Sequence, residues 1–337
     1  MTTPTRKIGQ TTVSAIGFGA MGIGGAYGKA PSDEERFQLL DAAHASGSTH
    51  WDTADIYMDS EALIGKWLKR TGKRNDIFLA TKFGFVFDNP DKLINGSPEY
   101  AREALDRSLQ KLGVDYIDLF YLHRVDSTIP IEHTVAAMAE GVKAGKVKYL
   151  GLSECSAASL RRAHAVHPIA AVQCEYSPFT LDIEDEKIGL LKAARELGVA
   201  VVAYAPLGRG LITGSINSPD DLDKDDWRRS VPRYSPENFP NIVKLAQGLK
   251  AIGERNRCTT SQVALAWLLS QGDDIIPIPG TTKIKYLEEN VAAAQVHLAP
   301  ADLKQVRDEA QRADAAHGDR YPSGMAQLLY TDSPELN

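Results

Sequence analysis

Short apolar runs recur along the chain, each followed by a polar loop and then an amphipathic stretch that closes on glycine. Eight such runs stand out, at positions 16–19, 49–52, 77–82, 117–123, 147–153, 169–173, 199–204 and 275–279. The run Val199-Ala200-Val201-Val202-Ala203 is apolar throughout, as in parallel strands covered on both faces rather than alternating, half-exposed ones. Between the runs the helix ends are legible. Ser32 and Glu35 form a capping box ahead of a helix stopped by Gly47, and Ser97 precedes Pro98 in the first turn of a helix stopped by Gly113. Gly72, Gly145 and Gly198 close three more. Eight strands alternating with helices predict an α/β fold of the (β/α)8 TIM-barrel type in preference to an open doubly wound sheet. Lys7 to Val13 reads as a hairpin able to plug the barrel's floor. The 337 residues are accordingly expected to form one domain: a hairpin over 6–14, a barrel over 16–295, and a C-terminal helix and tail over 300–337.

Gly17-Phe18-Gly19-Ala20-Met21-Gly22 matches the glycine pattern of dinucleotide-binding Rossmann folds. That motif works by opening a helix at its third glycine, so that the helix N-terminus meets a pyrophosphate. Here the next helix cap is Ser32, ten residues on, which argues against a Rossmann fold. Composition removes other classes. Thirty-eight Lys+Arg against 44 Asp+Glu leave a formal charge of -6, and no basic run could neutralise successive phosphates, so neither nucleic acid nor an anionic membrane is an expected partner. No apolar run reaches the ~18 residues of a membrane span, the first residues lack a signal-peptide core, and the last are not a peroxisomal address. The three cysteines, Cys155, Cys174 and Cys258, have no zinc or disulfide spacing and fit a reducing compartment, with the cytosol as the expected location.

In a barrel, catalytic groups stand at the C-terminal ends of the strands. Asp52, Lys82, His123, Ser153, Gln173 and Tyr204 end six of the runs, and Tyr57 follows Asp52 in its loop. Singly, each has an ordinary structural use as a cap, a solvated cation or a satisfied core residue. Together, Tyr, Lys, Asp and His are the set that reduces a carbonyl by hydride transfer. A tyrosine must protonate the nascent alkoxide, and a lysine ammonium within ~4–6 Å lowers its pKa. An aspartate keeps that ammonium charged, and a neutral histidine orients the carbonyl oxygen.

These residues lie in stretches that resemble the aldo-keto reductase family along nearly the whole chain. The stretches are Trp51-Asp52-Thr53-Ala54-Asp55-Ile56-Tyr57, Ala80-Thr81-Lys82-Phe83-Gly84, Asp118-Leu119-Phe120-Tyr121-Leu122-His123-Arg124, Gly151-Leu152-Ser153, Ala203-Tyr204-Ala205-Pro206-Leu207-Gly208-Arg209-Gly210 and Ile278-Pro279-Gly280-Thr281-Thr282. The resemblance implies a TIM barrel, NADPH/NADP+ as cofactor, a small carbonyl compound as substrate, and Asp52, Tyr57, Lys82 and His123 as catalytic tetrad. Tyr57 would be the acid in reduction. It also implies that Gly19, Ala20 and Met21 line the cofactor site, that Tyr204 stacks on the nicotinamide, and that Ser153 and Gln173, beside Asp52, hold its carboxamide. Ala205, Pro206, Leu207, Gly208, Arg209 and Gly210 would serve the pyrophosphate, with Arg209 supplying charge. Gly280, Thr281, Thr282 and Lys283, opening the eighth helix, would take the 2′-phosphate, and Glu289 and Asn290 the adenine. Substrate contacts would come from Tyr27, Met58, Phe83 and Arg124, with further wall from 215–241 and the tail after Ala315.

The chain departs from the best-studied branch in carrying Glu154 after Ser153, where that branch has asparagine; pyridoxal-reductase-like and quinone-reductase-like branches share the glutamate. Pyridoxal-like and aromatic aldehydes are therefore among the expected substrates. An alternative within the family is an NADPH-sensing regulatory subunit with slow turnover, like the potassium-channel β-subunits. Oligomeric state is left open between monomer and homo-oligomer. A metal site is not expected: His164 and His167 have no neighbouring carboxylate, and the acidic run 220–226 lacks the glycine and glutamate of a calcium loop.

Overall fold

The structure, a computed structural model, describes residues 4–26, 28, 30–86 and 92–336. It opens with an antiparallel hairpin, β1 (Thr5–Ile8) and β2 (Thr11–Ser14). Eight parallel strands follow in sequential order: β3 (Phe18–Gly19), β4 (His50–Asp52), β5 (Phe78–Phe83), β6 (Ile117–Leu122), β7 (Val147–Ser153), β8 (Ile169–Glu175), β9 (Ala200–Tyr204) and β10 (Ile275–Pro277). The first and last meet. Gly17 N donates to Pro277 O at 2.9 Å and Gly19 N to Pro279 O at 3.2 Å, closing the sheet into a barrel. Closure explains why the first run yields so short a strand, since its glycines are spent on the seam.

Helices α1 (Asp33–Ala45), α2 (Ser60–Thr71), α3 (Pro98–Leu112), α4 (Ile131–Lys143), α5 (Ala157–Val166) and α6 (Leu190–Leu197) each follow a strand. The Ser32 capping box and the Ser97 cap form as their spacing predicts, and Gly72, Gly113 and Gly198 end their helices in the left-handed conformation. Two helices, α7 (Phe239–Asn256) and α8 (Thr260–Ser270), fill the long excursion before β10, and α9 (Ile284–Ala292) follows it. Helix α10 (Pro300–Ala313) then packs on α7. Among the described residues, no helix is long and apolar enough to cross a membrane.

Strand alternation splits the core in two. Side chains such as Trp51, Leu79, Phe120 and Leu150 point out to the helices, whereas Phe78, Ala80, Leu119, Tyr121, Ala171 and Val202 fill the barrel. Ile8 and Val13 of the hairpin join the inner cluster, so the floor is plugged. Two glycines make this packing possible. Gly9, at φ +55°, faces the Tyr149 ring, and a Cβ at Gly151 would lie 2.4 Å from Tyr121. With the floor filled, the open end of the barrel is the one where β4, β7 and β9 end in Asp52, Ser153 and Tyr204 and where Lys82 and Gln173 stand within two residues of the ends of β5 and β8.

Candidate active site

Alternation places the site residues. Asp52, inward at the end of β4, faces Lys82, inward on β5. Lys82 has no exposed surface, and its Nζ donates to Asp52 Oδ1 at 2.5 Å and to the Thr53 carbonyl at 2.8 Å. Its third oxygen neighbour is the Tyr57 hydroxyl at 3.5 Å. Tyr57 is brought there by a loop pinned to β5, where Thr53 N donates to Ala80 O and Asp55 N to Lys82 O. His123, just past β6, donates its backbone N–H to Phe83 O at 2.7 Å, and its ring stands edge-on to Tyr57 with centroids 5.8 Å apart. Gln173 Nε2 donates to Asp52 Oδ2 at 2.8 Å, so the carboxylate is held from both sides. The four residues read as a tetrad from the sequence do converge.

The electrostatics differ from expectation in one respect. Burial pushes the Tyr57 phenol above its ordinary value, with Asp52 and Tyr321 adding to the rise and Arg124 opposing it. A lysine ammonium this near is expected to lower that pKa. In the structure the ammonium spends its charge on Asp52, a full ångström closer than the phenol, and desolvation of the tyrosinate wins. Lys82 itself is pulled below the usual amine range by burial, against the attraction of Asp52. His123 is driven well below the usual imidazole range by burial, Arg124 and Lys82, so it is neutral.

Tyr57, His123, Asp52, Ser153 and Gln173 line one end of a cavity of about 960 Å³ that runs along the barrel mouth to the start of α9. Gly19, Ala20 and Met21 border it on the β3 side, and Tyr204, Ala205, Pro206, Leu207, Arg209 and Gly210 on the β9 side. Gly280, Thr281, Thr282 and Lys283 lead into α9, with the adjacent Glu289 and Asn290 both about one and a half turns inside that helix, and all six reach the cavity. Its size is at the upper end of the ~300–1,000 Å³ usual for ligand pockets. Among the described residues, four of the seven non-glycine ones with positive φ, Met58, Glu154, Ala205 and Arg209, sit in loops at this mouth. Backbone strain of that kind concentrates at functional sites.

A model of the aldo/keto reductase family matches residues 15–310. The chain belongs to the aldo-keto reductase family. It is 60% identical over 341 residues to aldo-keto reductase str7 of Strobilurus tenacellus, covering 100% of this chain and 99% of that one. Identity to aldo-keto reductase yakc [NADP(+)] of Schizosaccharomyces pombe is 49% over 343 residues, with the same coverage. Among solved structures, the glycerol dehydrogenase AKR11B4 of Gluconobacter oxydans superposes with a TM-score of 0.83 at 27% identity, over 93% of this chain and 97% of that one. The thermostable aldo-keto reductase Tm1743, solved with the inhibitor epalrestat, gives 0.73 at 30% identity, over 91% and 99%.

Against the reductase expectations, several residues face elsewhere. Phe83 follows inward Lys82 on the strand, so it points outward and stacks on Phe120 at 4.8 Å; the ring beside His123 is instead Phe85, at 4.9 Å. Met58, at φ +48°, is turned to solvent with 68% exposure and does not line the cavity. Gly208 packs against Phe179 and Ile212, outside the cavity. Arg209 lines the cavity, but its guanidinium does not offer free charge to a pyrophosphate: Nη2 donates to Glu175 Oε2 at 2.9 Å and Nη1 to the Tyr234 hydroxyl at 2.6 Å. Tyr27 lies outside the described residues. Arg124 is placed as expected, on the cavity wall beside His123.

A second network, not expected from the sequence, stands beside the tetrad. Glu154, where the chain departs from the best-studied branch, is fully buried at φ +50° and turns under Tyr204, whose hydroxyl donates to Glu154 Oε1 at 2.7 Å. Arg320 of the tail donates to both Glu154 oxygens, at 3.2 and 3.1 Å, and pairs with Glu175 and Asp182. The next residue, Tyr321, thereby enters the cavity with its hydroxyl 3.0 Å from that of Tyr204. The Arg320-Tyr321 pair stands in the tail after Ala315 that the family resemblance already sets against the site. Cys155 and Cys174 are fully buried, and burial raises both thiols, which makes them inert core residues. Among the described residues no cluster of metal-ligating side chains is found.

Proposed function

We propose that this aldo-keto reductase catalyses NADPH-dependent reduction of aldehydes and ketones to alcohols, with Tyr57 as the general acid. The observation that carries the reading is a fully buried ammonium, Lys82, held between Asp52 and the Tyr57 phenol, which opens into the cavity next to a neutral histidine. The donor set also fits a phosphorylated dinucleotide. The hydroxyls of Thr281 and Thr282, the Lys283 cation and the first turn of α9 form an exposed anion cradle at the end of the cavity away from Tyr57. Bound there, NADPH would supply the hydride.

The chain's own residues supply the rest. A carbonyl oxygen placed between Tyr57 and His123 accepts hydrogen bonds from both, which orients it and polarises the bond. As the carbonyl carbon gains a hydride and forms a C–H bond, the C=O π pair moves to oxygen, and that oxygen takes the Tyr57 proton. Because burial holds the Tyr57 proton firmly, the resting site is armed as an acid, which suits reduction. Tyr204, tied down by Glu154, gives a flat aromatic wall on one side, so the face presented to the substrate is fixed. Replacing Tyr57 by Phe keeps the ring and removes the acid. Turnover of an aldehyde panel with NADPH should fall by about 10²–10⁴ while NADPH binding, followed by its fluorescence, persists. Near wild-type turnover would remove Tyr57 from the chemistry.

A further inference from the structure

Arg124 is 5% exposed and lines the reactive end of the cavity. Its Nη1 donates to the His123 carbonyl at 2.7 Å and to Ser153 Oγ at 3.1 Å, and its Nη2 to the Tyr321 hydroxyl at 3.4 Å. Among the described residues its Nε makes no hydrogen bond and its guanidinium forms no ion pair. Burying a cation with no carboxylate in contact is costly, and the other buried arginines near the barrel mouth avoid it, whereas Arg124 has only the attraction of Glu154 from beyond contact distance. Arg36 pairs with Asp33 and Asp59, Arg209 with Glu175, and Arg320 with Glu154, Glu175 and Asp182. Arg233 also lacks a carboxylate, but it lies off the cavity and is satisfied by the Gly318 carbonyl and Thr180 Oγ1.

The nearest acid on Arg124's hydrogen-bond chain is Glu154, two hydroxyls away through Tyr321 and Tyr204, and its oxygens are already taken by Arg320, Tyr204 and the Glu175 N–H. Phe85 and Tyr321 flank the guanidinium, each ring centroid 5.8 Å from its Cζ, which fixes its direction and limits water around it. A planar cation held in this way matches a carboxylate, and its neighbours His123 and Tyr57 assign that carboxylate to the molecule being reduced.

We propose that Arg124 is a substrate-anion anchor, and that the preferred carbonyl compounds of this protein are oxo acids, carrying a carboxylate within reach of Arg124 when their C=O lies between Tyr57 and His123. This rests on the reductase reading of the same site. The products are the corresponding hydroxy acids.

The test compares 2-, 3- and 4-carboxybenzaldehyde with their methyl esters, which keep shape and lose charge, as substrates with NADPH. For at least one isomer, kcat/KM of the acid should exceed that of the ester about tenfold or more, the range of a charge-assisted hydrogen bond in a water-poor site. Arg124→Met should bring that ratio to about one, whatever happens to the absolute rate, and Arg124→Lys should restore part of it. Calorimetry of benzoate and benzamide against the unliganded protein reads the anchor without turnover: benzoate should bind more tightly in the wild type, and not in Arg124→Met. Acid-to-ester ratios at or below one for all three isomers, or a ratio unchanged by Arg124→Met, would overturn the proposal. If neither acids nor esters are reduced, the reductase reading fails, and the benzoate comparison decides the anchor by itself: a preference lost in Arg124→Met supports it, and equal binding of benzoate and benzamide overturns it.

Discussion

Asp52→Asn isolates the ion pair on which the site depends. Asparagine keeps the side chain's size and an oxygen acceptor, but it leaves the Lys82 ammonium, with no exposed surface, facing the Thr53 carbonyl at 2.8 Å and the Tyr57 hydroxyl at 3.5 Å. Removing one partner of a buried pair costs about 3–5 kcal/mol, because the remaining charge is neither hydrated nor compensated. Lysine can escape part of that cost by losing its proton. Burial already holds Lys82 below its ordinary range and Asp52 is the main opposing influence, so the variant must move it further down. An unfolded lysine titrates near 10.4, and between the depressed folded value and that one the unfolded chain binds more protons than the folded chain. Stability therefore rises with pH across this interval, by up to about 1.4 kcal/mol per unit, and the substitution widens the interval toward neutrality. The difference between wild type and variant should be largest near pH 7 and shrink toward pH 9. Urea unfolding followed by tryptophan fluorescence at pH 7, 8 and 9 measures it, above the range in which His50, depressed to about 4 by burial, changes charge. A difference that is constant or grows with pH, or one below about 1 kcal/mol at pH 7, would mean that Lys82 is not held charged by Asp52, and the reasoning would fail.

Two other substitutions bear on neighbouring features. Asp55 is half-buried beside Glu61 with a buried, unpartnered Oδ1, and its carboxyl is pushed up to about 7 by desolvation first and Glu61 second. Its folded value lies above the unfolded one, so wild-type stability is lost as pH rises from about 4 through 7. Asp55→Asn, which has no proton to lose, should gain on the wild type over that interval by about 1–4 kcal/mol in denaturation experiments, and a pH-independent offset would contradict the assignment. Lys283, exposed at the entry to α9, should favour NADPH over NADH. Lys283→Glu should raise KM for NADPH about tenfold while changing that for NADH little, and an unchanged preference would move the 2′-phosphate elsewhere.

What the sequence made legible follows from range. All eight strands were visible because parallel strands buried on both faces give continuous apolar runs, and helix starts were visible because a capping box is complete within four residues. The tetrad was visible because each member ends a strand or follows one. Phe83 was assigned to the wrong face, although the alternation that turns Lys82 inward requires its neighbour to turn outward. Arg209 was given to a ligand because its partner, Glu175, stands 34 residues away on another strand. Tyr321 reaches Tyr204 across 117 residues, and nothing local in either segment encodes that meeting. Glu154 carries the same lesson: spacing marked it as a departure, and only the arrival of Arg320 from the tail shows what its charge does.

The raised Tyr57 pKa, which runs against the simplest account of a lysine-activated acid, is consistent with catalysis once ground and transition states are kept apart. An interaction accelerates a reaction only insofar as it is stronger in the transition state than before it. In the resting site Lys82 lies 3.5 Å from the phenol and 2.5 Å from Asp52, so it does little for a neutral tyrosine. As the proton leaves for the alkoxide, negative charge appears on the phenol oxygen in a water-poor pocket where Coulomb attraction is strong, and the ammonium has an oxygen to move toward. The same long contact that fails to lower the resting pKa is then a contact whose strength is realised during proton transfer. A lysine bound tightly to the phenol at rest would have stabilised tyrosinate in the ground state and left a site with no proton to give.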